Sequence, residues 1–134
     1  MNAHKLSPTK HAITQAGVHT VPHTPGIYIL YKANLGPPHY VGRSDRDLYE
    51  TLVSKIGKTH YSYFKFMVCN TPDDAFQWEC IYWHQGSKTL DNGEQNGGHH
   101  PRRPKDSHAN CPVPGCTHSF EQSIPSAEEV EIEK

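Results

Sequence analysis

One glutamate set among aromatic residues is the first place in this sequence where chemistry is concentrated. Placed on a helical wheel at about 100° per residue, residues 73–85 put Ala75, Phe76, Trp78, Cys80, Tyr82 and Trp83 on a single arc, with Glu79 in its middle. Asp73, Asp74, Gln77, Ile81, His84 and Gln85 lie opposite. A carboxylate on an apolar face is costly unless a cation compensates it. Two compensations are open: an ion pair with Arg43, Arg46 or Lys65, or a metal ion. Two tyrosines come next, in the triplets Gly26-Ile27-Tyr28 and Tyr40-Val41-Gly42. A phenol can position a water or relay its proton, and a strand tyrosine is also ordinary packing. The third concentration lies near the end. Cys111 and Cys116 form a C-x4-C pair within the spacing range of zinc loops, with His108 and His118 flanking it. His99 or His100 could return to such a site, and a free thiol pair is the other reading. Cys69 and Cys80 read as core residues.

The elements that must hold these residues are legible between Pro25 and Gln85. After the Pro25-Gly26 turn, Ile27, Ile29 and Tyr31 alternate with Tyr28, Leu30 and Lys32, which is strand periodicity. Asn34 to Pro38 reads as a hairpin loop, and His39-Tyr40-Val41 as a second strand ending at Gly42. Ser44 is the expected cap of a helix starting near Asp45, with Asp47 in its first turn. Leu48, Leu52 and Ile56 form its apolar stripe, and Gly57 closes it. Tyr61 to Cys69 is a third strand, with Phe64, Phe66 and Val68 on one face and Tyr63, Lys65 and Met67 on the other. Thr71 caps a second helix that runs to about Gln85. The expected fold is α+β: a small three-stranded antiparallel sheet flanked by helices, in the order β-β-α-β-α, with a loop-rich C-terminal tail.

Composition agrees that only part of the chain packs. Hydrophobic residues make up 34% of 134, and even with glycine added the total stays below the roughly 45–50% of a globular chain. All seven Tyr, both Trp and three of the four Phe fall between Tyr28 and Trp83, so the core is there. Residues 1–21 carry a net charge of +2 and few large apolar side chains, and read as a mobile extension. Residues 22–105 carry +2 and form the expected domain. Residues 106–134 carry −5 and read as a His/Cys-containing and then acidic tail, whose end SAEEVEIEK could form a frayed helix. No apolar run nears the roughly 18 residues of a membrane span. With no signal-like N-terminus, a cytoplasmic protein with no membrane partner is expected.

Taken together, a GIY triplet, a hairpin, a YVG triplet, a helix, a third strand and a helix bearing one Glu resemble the GIY-YIG endonuclease family. The resemblance covers Pro25 to Gln85. It implies a nuclease that cuts DNA phosphodiester bonds with one divalent cation, Mg²⁺ or Mn²⁺, held by Glu79. It also implies roles for Tyr28 and Tyr40 at the attacking water. A hard cation prefers carboxylate oxygen and keeps several waters, which leaves room for phosphate oxygens.

The family's usual helix arginine, about ten residues after the second tyrosine, is Glu50 here. Arg43, beside Tyr40 at the strand end, is the preferred substitute and Arg46 the other; Arg46 paired with Glu50 is the alternative for that residue. His60 or Tyr61 matches a further family position, and Asn92 or Asn96 an asparagine that hydrogen-bonds the site. His100-Pro101-Arg102-Arg103-Pro104 is similar to an HP-x-x-P stretch of some members, in which Arg102 and Arg103 would meet the phosphate backbone. Glu50 also motivates an alternative function: a catalytically silent nucleic-acid-binding module of the same fold.

Overall fold

The computed structural model describes residues 5–116. Strand β1 is His11–Ala12, helix α1 Gln15–Val18, strand β2 Gly26–Tyr31, strand β3 Pro38–Ser44, helix α2 Leu48–Val53, strand β4 Tyr63–Val68 and helix α3 Pro72–Gln85. A single 3₁₀ turn follows at Glu94–Asn96. The strands form one antiparallel sheet in the order β1-β4-β2-β3. The expected α+β class is seen, with four strands instead of three.

The fourth strand and its helix correct the reading of residues 1–21 as mobile, for the part that is described. His11 and Ala12 pair with Phe64 and Tyr63, and Ser7 exchanges two hydrogen bonds with the backbone of Phe66. Ile13, Val18 and Val21 are buried beside Leu30, Leu48, Leu52 and Phe64. A two-residue strand has no periodicity to read, and a four-residue helix shows less than one amphipathic repeat. Thr14 caps that helix by accepting a hydrogen bond from the Gly17 N–H at 3.0 Å.

Strand β2 sits between β4 and β3, and all six of its residues are buried. Its alternation divides the core. Tyr28 and Leu30 face α1 and α2, while Ile27 and Ile29 face the side where Ala75, Trp78 and Tyr82 of α3 pack. Strand β4 follows the expected alternation, with Phe64 and Phe66 on the first side and Tyr63 and Met67 on the second. It begins at Tyr63, two residues later than expected, and ends before Cys69.

The helix caps are partly as expected. Thr71 caps α3 by accepting from the Asp74 N–H at 3.1 Å. Helix α2, however, is capped by Asp47 and not by Ser44, which closes β3. Asp47 accepts from the Glu50 N–H at 2.9 Å, and the Ser44 hydroxyl accepts from the Asp47 N–H, also at 2.9 Å. Both residues are capping types, and the bond between them tightens the β3–α2 turn so that only the second becomes the cap. Helix α2 ends at Val53, and turns carry the chain to Gly57, whose φ of +73° suits glycine.

Residues 98–116 lie along the outer side of α3. Ser107 donates to Asp73 at 2.6 Å, Gln77 donates to the Asn110 carbonyl at 3.2 Å, and Cys111 is buried against Phe76 and Cys80. Helix α3 is therefore covered twice, by the sheet and by this tail. That explains why its apolar residues spread over so wide an arc. The acidic end, residues 126–134, lies outside the described residues. Among the described residues no helix is long and apolar enough to cross a membrane.

Candidate functional site

Tyr28 and Tyr40 meet because of strand register. Tyr28 pairs with Gly42, and Tyr40 with Leu30, so the two tyrosines are diagonal neighbours on the α2 face of the sheet. Their ring centroids are 6.4 Å apart, with the planes 15° from parallel. Gly42 makes this possible: a Cβ there would come within 2.3 Å of the Tyr28 Cζ. Gly26 is needed similarly, since a Cβ would collide with the Met67 carbonyl and Leu48. The glycines of both triplets thus have a steric reason. The aromatic line continues outward from Tyr40 through Tyr61, at 5.9 Å, to the exposed His60, at 4.2 Å from Tyr61.

Arg43 and Glu79 stand on the other side of β3. Alternation along β3 turns Val41 and Arg43 toward α3. The Arg43 guanidinium donates to Glu79 Oε1 at 2.8 Å and to Asp45 Oδ1 at 2.5 Å. The side chains of Arg43 and Glu79 are only 12% and 14% exposed. The ion pair that the sequence left open is formed, with Arg43 as its cation. Among the described residues, Glu79 Oε2 accepts no hydrogen bond.

The electrostatics couple the two faces. Burial pushes the Glu79 carboxyl up to about 7, against the pull of Arg43 and with some help from Asp45. Burial also raises the Tyr28 phenol, with Tyr40 and then Glu79 adding to the effect. Tyr40 is raised by burial and by Glu79. Both phenols therefore hold their protons at neutral pH.

A cation that the sequence reading did not single out lies on the tyrosine side. Lys55, just after α2, puts its Nζ 5.1 Å from the centre of the Tyr28 ring, and burial lowers its pKa. Nothing in its local sequence marks it; the turn after Val53 brings it back. Arg46 is exposed, and among the described residues it forms no ion pair with Glu50. Glu50 is exposed beside His23 and Asp47.

Asn92 holds strand β3 through its side-chain amide. Its Nδ2 donates to the Val41 carbonyl at 2.8 Å, and its Oδ1 accepts from the Val41 N–H at 3.3 Å. Its own carbonyl accepts from the Trp83 indole at 2.6 Å. One side chain thereby satisfies the free edge of β3 between Tyr40 and Gly42. Replacing Asn92 with alanine is expected to lower stability by about 1–3 kcal/mol, measured by urea denaturation. Asn96 donates to the Leu90 and Lys88 carbonyls and braces the same loop. Arg102 is exposed, while Arg103 donates to the Ser107 carbonyl at 3.3 Å.

A second constellation lies at the far end of α3. Side-chain ligand atoms of His84, His100, Cys111 and Cys116 are all within 4.8 Å of one another. Of the zinc ligands expected from sequence, Cys111 and Cys116 are in this group. His108 is exposed and outside it, and His118 lies outside the described residues. Their places are taken by His100, which returns as the sequence allowed, and by His84, whose wheel position opposite the aromatic arc gave no hint of a covering tail.

Compared with protein-family models, with curated proteins and with solved structures, the chain matches none.

Proposed function

We propose that this protein is a metal-dependent endonuclease of the GIY-YIG type, hydrolysing DNA phosphodiester bonds with Glu79 as the single protein ligand of Mg²⁺ or Mn²⁺. The observation that carries the reading is a largely buried glutamate on α3, held by an arginine of β3 that stands three residues beyond Tyr40, itself stacked on Tyr28. The donor chemistry fits a hard cation: one carboxylate oxygen is held by Arg43 and the other accepts no hydrogen bond. Such an ion, when bound, offsets charge on the transition state and the leaving oxygen.

The chain's own groups supply the rest. Tyr28 and Tyr40, protonated at neutral pH, can hold the attacking water by hydrogen bonds and relay its proton. Lys55 and Arg43 offer the positive charge that Glu50 cannot, one from each side of β3. The exposed end of the aromatic line at His60 and the exposed Arg102 extend the surface on which DNA would lie. The zinc expected for the Cys111–Cys116 pair would sit in the second constellation.

Supercoiled plasmid and branched DNA incubated with the protein and Mg²⁺ or Mn²⁺ test the reading. Nicking that chelator abolishes is expected; intact DNA of both kinds with either ion overturns it. The Arg43–Glu79 pair supports one second reading, a silent module of the same fold that binds DNA without cutting. Salt-dependent retention of DNA with no cleavage would select that reading.

A further inference from the structure

We propose that this chain holds a structural zinc ion in a Cys₂His₂ site made by His84, His100, Cys111 and Cys116, which fastens residues 98–116 to the end of α3. The site is separate from Glu79 and stands whether or not the protein is a nuclease.

The distances are those a zinc ion would impose. With Zn–S of about 2.3 Å and Zn–N of about 2.05 Å, a tetrahedral site has S···N edges of about 3.6 Å. Cys111 Sγ lies 3.6 Å from His84 Nε2, and Cys116 Sγ lies 3.5 Å from His100 Nε2. The upper bound on the remaining separations, 4.8 Å, exceeds the longest tetrahedral edge by about 1 Å, so closure on an ion needs only small side-chain shifts. The donor set of two sulfurs and two imidazole nitrogens suits zinc and not Mg²⁺.

The surroundings orient the ligands. His100 Nδ1 donates to the Pro101 carbonyl at 2.8 Å, which fixes the tautomer and leaves the Nε2 lone pair toward the cysteines. Gly115, at φ +82°, turns the chain just before Cys116, whose N–H donates to the Val113 carbonyl at 3.3 Å. The C-x4-C segment is thus shaped to present both sulfurs from one short loop. A groove of about 490 Å³, lined by Trp83, His84, His99, His100 and Cys116 among others, leaves a route from solvent to the cluster.

Topology says what the ion would do. The tail leaves the C-terminal end of α3 at His100, reaches the N-terminal end where Ser107 meets Asp73, and climbs back to Cys111 and Cys116. An ion joining His100 to the cysteines closes this loop, and His84 ties it to the helix that carries Glu79. Along the returning limb only Ala109, Cys111, Val113 and Cys116 pack with Phe76 and Cys80, little apolar area for holding so long a segment. Metal binding supplies such stabilisation directly.

The same distances would also arise from thiol–imidazole hydrogen bonds without an ion, so metal content decides. The full chain, purified without chelator, is expected to carry one zinc per chain. After exchange, Co²⁺ should give the visible bands of a tetrahedral thiolate site. Cys111→Ser and His84→Ala should each lose at least half of the bound zinc, while Glu79→Gln keeps all of it. Should the ligand variants fail to fold, wild-type protein still answers: chelator should speed tryptic cleavage at Arg102, Arg103 and Lys105 at least tenfold, and zinc should reverse this. Reduced wild-type protein that takes up neither zinc nor Co²⁺, or folded Cys111→Ser and His84→Ala variants that keep all of their zinc, overturns the proposal.

Discussion

Glu79→Gln is expected to reduce metal-dependent nicking at least a hundredfold while leaving the protein folded. The amide keeps an oxygen that can accept from Arg43, and Arg43 keeps Asp45, so the variant removes a charge with little change of shape. What it loses is the anionic oxygen a divalent cation requires. Tyr28→Phe is the companion variant. Its ring stays packed between Gly42 and the α2 side of the core, and only the hydroxyl goes. The expected loss is about a hundredfold, the lower end of what a positioned proton-transfer group contributes. Plasmid nicking rates, with circular dichroism to check the fold, measure both. A Glu79→Gln enzyme that cuts at the wild-type rate would remove the carboxylate from the mechanism. Lys55→Ala should have a smaller effect than either, raising the DNA concentration needed more than it slows the cut.

The parts of this site that the sequence revealed are those set by short-range pattern. Strand alternation places Tyr28 and Tyr40 on strands, and the triplets that resemble the GIY-YIG family single them out; the structure adds why those triplets contain glycine: the ring of Tyr28 fills the space over Gly42. Helical periodicity singles out Glu79, and its partner Arg43 is one of the three cations the sequence offers it. The parts that were hidden depend on contacts between distant segments. His11 and Ala12 form a strand only because β4 offers an edge. Lys55 reaches Tyr28 through the turn after α2. His84 looked like a solvent-facing residue on the wheel. It faces inward because the tail, which has almost no periodicity of its own, covers that side of α3. Asn92 is singled out by the resemblance, but its Asn-Gly pair reads as a turn former and its partner Val41 lies 51 residues away.

The raised carboxyl of Glu79 makes a second large effect, on stability as a function of pH. Its folded-state value of about 7 lies above the ordinary 4.5, so the folded protein binds a proton more tightly than the unfolded chain does. Unfolding then releases that proton, and stability falls as pH rises through the window from about 4.5 to 7, staying low above it. The Asp47 and Asp91 carboxyls are shifted the other way, Asp47 chiefly by the Glu50 N–H and Asp91 chiefly by Tyr61. Their effect belongs to pH below about 4, outside the window. Urea denaturation of wild type and Glu79→Gln at steps between pH 4.5 and 8 isolates the glutamate. Wild type is expected to lose up to about 3 kcal/mol relative to the variant across this range, the free energy equivalent of the shift. A difference that stays flat would mean that Arg43 fully offsets burial and holds Glu79 ionised throughout. Under the proposed function the same proton would compete with the metal, so the nicking rate should climb with pH up to about 7 and then level. Because Mg²⁺ binds only the ionised carboxylate, adding it should restore stability above pH 7 in wild type and not in Glu79→Gln. Proton, arginine and cation would then be three occupants of one buried carboxylate, separable by pH, by substitution and by titration.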